Sequence, residues 1–110
     1  MNELRQYERV GFLCKLELSE MPGGAPQAAR SVDLSFGGVG FVTQSPFSVG
    51  QLVTVTFYFK DVSQNEVRDQ VVGRIVHFAA DVDANRVGVE FLCPLAEAEH
   101  PLLAGKLLSQ

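Results

Sequence analysis

Alternation with a period of two runs through most of this chain and most limits what it can fold into. In RVGFLCKLELSE, Val10, Phe12, Cys14, Leu16 and Leu18 alternate with Gly11, Leu13, Lys15 and Glu17. That spacing puts one face of a strand on a core and the other in water. QLVTVTFYF repeats the pattern with Val53, Val55, Phe57 and Phe59 on one side, and RVGVEFLC with Val87, Val89, Phe91 and Cys93. Both are rich in the β-branched and aromatic residues that suit a pleated surface. QAARSVDLS and GVGFVTQ read as two further strands, and VRDQVVGRIVHFAA as a long one interrupted at Gly73. MPGGAP, SPFSVG, KDVSQNE and DVDAN separate these runs with turn and loop chemistry. About six strands at short intervals predict a small antiparallel barrel or sandwich.

After Pro94 the period changes. LAEAEHPLLAGKLLSQ carries Leu103 and Leu107 at helical spacing, with Leu102 and Leu108 beside them. The pattern predicts a C-terminal helix of two to three turns that packs its leucines on the barrel. Pro101 falls in the first turn, where its missing N–H costs little, and Gly105 weakens the helix. The expected division is an N-terminal segment at 1–9, a barrel at 10–93 and a helical segment at 95–109.

A chain of 110 residues can bury one core without metal or disulfide staples. The net charge of −4 argues against general nucleic-acid binding, which relies on a basic field. A small anionic ligand needs only a few local arginines. No apolar run approaches the ~18 residues of a membrane helix. MNELRQYER lacks the apolar stretch of a signal peptide. The expected location is therefore the cytoplasm, with no membrane insertion. Cys14 and Cys93 fit no CxxC or zinc spacing. They are expected to be reduced, half-buried core thiols, since a disulfide would need neighbouring strands. His77 reads as a packed or surface-lying strand histidine, and His100 precedes the helix proline. Neither shares a motif with a nucleophile or metal ligands, and the chain has no P-loop or GxGxxG fingerprint. The expectation is a non-enzyme without metal or cofactor.

Two short segments remain. RQYER places Arg5 and Arg9 four residues apart ahead of the first strand. DLSFGGVGF, from Asp33 to Phe41, sets three glycines among strand-forming residues, each at a cost in stability. A turn explains Gly37 and Gly38; Gly40 is left unassigned. Arginine forks bind phosphate oxygens bidentately and stack on purines. A carboxylate accepts from the N–H edge of guanine, a serine hydroxyl can bond to phosphate, and a glycine lets backbone come close. Together these groups suit a guanine nucleotide with exposed phosphates.

Arg5-Gln-Tyr-Glu-Arg9 followed by Asp33-Leu-Ser35-Phe-Gly-Gly38, on a β-rich chain closed by RVGVEF, resembles the RxxxR and [D/N]xSxxG pattern of PilZ domains. These are bacterial receptor modules for cyclic di-GMP. The resemblance covers nearly the whole chain. It implies a six-stranded antiparallel barrel with a C-terminal helix and a ligand wrapped by the RxxxR segment on the outer face. Carried over by position, Arg5 and Arg9 bind phosphate and guanine. Asp33 holds a guanine edge, Ser35 bonds near a phosphate, and Gly38 allows close approach. Leu4 and Gly37 are accessory positions. In the family the neighbourhood of Leu4 is linked to whether one ligand or an intercalated pair binds. The expected mechanism is that cyclic di-GMP orders a mobile N-terminal segment, at an entropic cost, and that the altered surface signals to an unidentified effector protein. Dimerisation is left open. The alternatives are a PilZ-like interaction module that does not bind the nucleotide, or a small barrel binding nucleic acid or peptide.

Overall fold

The computed structural model describes residues 8–61, 63–96 and 98–108. Seven strands appear in chain order: β1 Val10–Gly11, β2 Lys15–Glu20, β3 Gln27–Ser35, β4 Gly38–Thr43, β5 Leu52–Lys60, β6 Glu66–Ala79 and β7 Asn85–Phe91. One helix, α1, spans Pro101–Leu108. All pairings are antiparallel, in the order β1-β3-β2-β5-β6-β7-β4, and a further β3–β4 pairing closes the ring. Six strands form the barrel and β1 is the extra one, lying along β3 through Val10↔Leu34 and Gly11↔Asp33.

The alternating residues line the interior. Leu16, Leu18, Leu34, Val39, Val53, Val55, Phe57 and Ile75 are fully buried, with Phe41, Val87, Val89 and Phe91 nearly so. Phe57 and Phe91 meet edge to face with ring centroids 6.4 Å apart, an arrangement that adds to simple area burial. Pro101 opens α1, as its missing N–H predicts. Leu103, Ala104 and Leu107 are buried, whereas Leu102 and Leu108 are exposed.

Three local expectations are corrected. The first predicted strand is two strands. Between Phe12 and Cys14 the Ser31 hydroxyl enters the ladder, donating to the Phe12 carbonyl and accepting from the Cys14 N–H. Gly73 does not interrupt β6, which runs unbroken for 14 residues. A Cβ there would collide with the Val89 side chain and the Glu90 carbonyl, so close packing requires the glycine. Cys93 is no core thiol: β7 ends at Phe91 and Cys93 is exposed, whereas Cys14 is buried. Both cysteines are free, and β2 and β7, which they flank, are not neighbours.

Candidate functional site

Asp33 and Arg9 come together on the outer wall. Arg9 Nη1 donates to Asp33 Oδ1 at 2.6 Å, with the two side chains 32 % and 34 % exposed. Alternation alone would put Arg30 and Asp33 on opposite faces of β3. The register shifts between Ser31 and Asp33, so Val32 is an extra, bulged residue. A bulge re-aims the residues after it. Asp33 therefore points outward on the same face as Arg30. Arg5 and Leu4 lie outside the described residues.

Ser35 and Gly38 form the turn between β3 and β4. The Ser35 hydroxyl accepts from the N–H groups of Gly37 and Gly38, each at 3.1 Å. Ser35 and Gly38 are buried. A Cβ on Gly38 would collide with the Val89 carbonyl oxygen. The close approach that this glycine permits within the chain is that of the β7 backbone.

The register identifies further residues that the sequence did not single out. Asp33 pairs with Gly40, Gly40 with Gly88, and Gly88 with His77, so these four make one row across β3, β4, β7 and β6. The next outward row holds Arg30, Val42 and Arg86. Two rows on one face are about 6.6 Å apart along the strands. Two arginines thus flank the Asp33 row on an acidic chain. Arg86 is loosely paired with Asp81, Nε to Oδ2 at 3.9 Å. A groove of about 490 Å³ lined by Lys15, Tyr58, Phe59 and Arg68 shares no residue with this row. Among the described residues, no three His, Cys, Asp or Glu are grouped to hold a metal ion. No described helix is long and apolar enough to cross a membrane.

Among the described residues, the closed ring, one C-terminal helix and the arginine–carboxylate pair on the outer wall define a small antiparallel β-barrel domain. The chain matches the PilZ domain family over residues 3–107 and belongs to that family. Comparison with curated proteins finds no match. Among solved structures, the Bacillus subtilis inhibitor of motility MotI/DgrA aligns with a TM-score of 0.76 at 15 % identity, covering 99 % of this chain and 52 % of that one. The PilZ domain of Escherichia coli YcgR with c-di-GMP aligns with a TM-score of 0.69 at 15 % identity, covering 92 % and 87 %. The K. pneumonia MrkH–c-di-GMP complex gives 0.68 at 11 % identity, covering 96 % and 52 %. This chain spans about half the length of MotI and MrkH.

Proposed function

We propose that this chain is a non-enzymatic receptor for cyclic di-GMP. The carrying observation is the meeting of Arg9 and Asp33, 24 residues apart in sequence, at 2.6 Å on the barrel's outer wall. Each comes from one of the two family motifs. Asp33 accepts from the guanine N–H edge. Arg5 and Arg9 take phosphate oxygens and the purine face, with Arg30 and Arg86 adding positive field. Ser35 and Gly38 hold the β3–β4 turn that fixes Asp33 two residues upstream. The YcgR and MrkH structures, both of them with c-di-GMP, support the ligand class. Ligand binding orders the RxxxR segment, and the changed surface is read by an effector protein. The test is calorimetric titration of wild type, Arg9→Ala and Asp33→Ala with cyclic di-GMP. Binding by wild type that both variants weaken supports the reading; no wild-type binding, or equal binding by all three, overturns it.

A further inference from the structure

β2 begins at Lys15, opposite Tyr58, but β5 runs on to Lys60. Phe59 and Lys60 pair there with Val67 and Glu66 of β6 and, among the described residues, with no strand on the other side. β1 pairs with β3 instead. Beside this uncovered end of β5 lies the groove of about 490 Å³, lined by Lys15, Tyr58, Phe59, Lys60, Val67 and Arg68, with Glu66 as its one carboxylate. Phe59 and Val67 are only half-buried and give it an apolar floor. The groove lies on strands that carry none of the nucleotide-motif residues.

Its charge is opposite to that of the chain. Lys15, Lys60 and Arg68 face it on a protein of net charge −4. Among the described residues, none of these three cations is ion-paired with a carboxylate. Register sets Arg30, Lys15, Tyr58 and Arg68 in one outward row across β3, β2, β5 and β6. Arg30 and Lys15 stand directly opposite each other, and like charges so placed destabilise a sheet. Folding alone does not call for this arrangement. Tyr58 is held in the middle of the row. Its hydroxyl donates to Glu17 at 2.8 Å, and the Lys15 ammonium lies over its ring, 5.3 Å from the centroid.

The groove is also joined to the arginine motif. Between Arg9 and Lys15 the chain passes through Phe12, which packs edge to face on Phe59 with ring centroids 5.9 Å apart. A change at Arg9 therefore acts on residues that touch the groove floor.

We infer that this groove docks an acidic, aromatic-bearing segment of the effector protein. Carboxylates of the segment meet Lys15, Lys60 and Arg68, and an aromatic side chain settles on Phe59 and Val67 beside Tyr58. Lys15 and Arg68 are two strand intervals apart, about 10 Å, which an extended segment spans with carboxylates about three residues apart. A nucleic acid suits the site less, because the chain's overall charge repels a phosphate backbone. The effector role rests on the receptor reading, and the experiment separates the two.

The isotope-labelled full chain is titrated with the capped peptides EFDEFD and KFKKFK, with and without cyclic di-GMP, and followed by amide NMR. The acidic peptide should shift the signals of Lys15, Tyr58, Phe59 and Arg68, and the basic peptide should not. Lys15→Glu and Arg68→Glu, both at exposed positions, should melt like wild type, keep their affinity for cyclic di-GMP and lose about tenfold or more in affinity for EFDEFD. If one variant does not fold, the other decides. Cyclic di-GMP should tighten EFDEFD binding by about fivefold or more. No shift at the groove, or undiminished peptide binding by a folded variant, overturns the docking site. Self-association of the protein that Lys15→Glu abolishes also overturns it and assigns the groove to a second copy. Peptide binding that bound cyclic di-GMP leaves unchanged overturns the effector role. Peptide binding by a wild type that does not bind cyclic di-GMP overturns the receptor reading and leaves the acidic docking site standing.

Discussion

One arm of the Arg9 guanidinium holds one oxygen of the Asp33 carboxylate, Nη1 to Oδ1 at 2.6 Å. A guanine edge offers two adjacent N–H donors and needs both carboxylate oxygens. In the proposed complex Arg9 therefore yields Oδ1 to the base and turns its fork to the phosphate or the ring face. The pair is a partly solvated ion pair, whose contribution to folding is about 0–1 kcal/mol. Charge-assisted hydrogen bonds to a ligand are worth about 1.5–3 kcal/mol each.

That difference in magnitude makes a prediction. Asp33→Ala and Arg9→Ala should leave the melting temperature close to wild type and weaken cyclic di-GMP binding by about 1.5–3 kcal/mol. Asp33→Ala should show the larger loss, because Arg9→Ala also frees Oδ1 for the base. Thermal melts beside calorimetric titrations check this. A large fall in melting temperature for either variant would mean that the pair holds the barrel together rather than the ligand.

Ser35 behaves differently, because it is buried and its hydroxyl satisfies two backbone donors. Ser35→Ala strands the N–H groups of Gly37 and Gly38 at a cost of about 1–3 kcal/mol. The expected outcome is a lower urea midpoint together with weaker nucleotide binding. Ser35→Thr, which keeps the hydroxyl, should recover part of both. Equal urea midpoints for wild type and Ser35→Ala would remove the turn-holding role.

The barrel could be read from the sequence because strand alternation is local: Val53, Val55 and Phe57 show their inward face without reference to any partner. What depends on partners could not be read. Residues 30 and 33 belong to opposite faces by counting, and only the bulge at Val32 joins them on one face. The break between β1 and β2 was hidden because alternation continues through Phe12 and Cys14 while Ser31, far along the chain, takes over their backbone groups. Of the candidate site, the Arg9 and Asp33 positions were legible from motif spacing, and the structure brings the two side chains together. Gly40 was visible only as an unexplained glycine, and Gly88 not at all, since register alone puts both in one row with Asp33. Arg30 and Arg86 carried no local signal, because register alone brings them beside Asp33.

The two cysteines should react very differently. Burial pushes the Cys14 thiol pKa up, and the Ser31 hydroxyl, the Tyr58 backbone and the charge of Arg30 offset this only in part. The thiolate is the reactive form, so Cys14 is both shielded and protonated at neutral pH. Cys93 is exposed. Iodoacetamide on the native protein should modify Cys93 alone, and both residues after denaturation, as read by peptide mass spectrometry. Modification of Cys14 at a comparable rate without denaturant would show that the barrel opens beside β2.

A last prediction concerns pH and the docking of α1. Asp69, on β6, lies against the Leu103 N–H in the first turn of α1 and near His100. Burial raises its pKa above the ordinary Asp value; the charge of His100 and the N–H groups of Gln70 and Leu103 pull it down, but less. The folded protein therefore binds a proton at Asp69 more readily than the unfolded chain does. By linkage, this group's effect on stability is most favourable below the unfolded Asp pKa, about 3.9. It becomes less favourable as pH rises through the folded-state value, and the full cost of the partly desolvated charge is present at neutral pH. Asp69→Asn keeps an oxygen acceptor for the Leu103 N–H and removes that charge. The variant should melt higher than wild type at neutral pH, and the gap should narrow as pH falls toward about 4. Melting curves of both proteins across that range measure the difference directly, with the other carboxylates cancelling. A variant that melts lower at neutral pH would mean that attraction to the helix N-terminus and His100 outweighs desolvation, and that the ionised Asp69 pins α1 to the barrel.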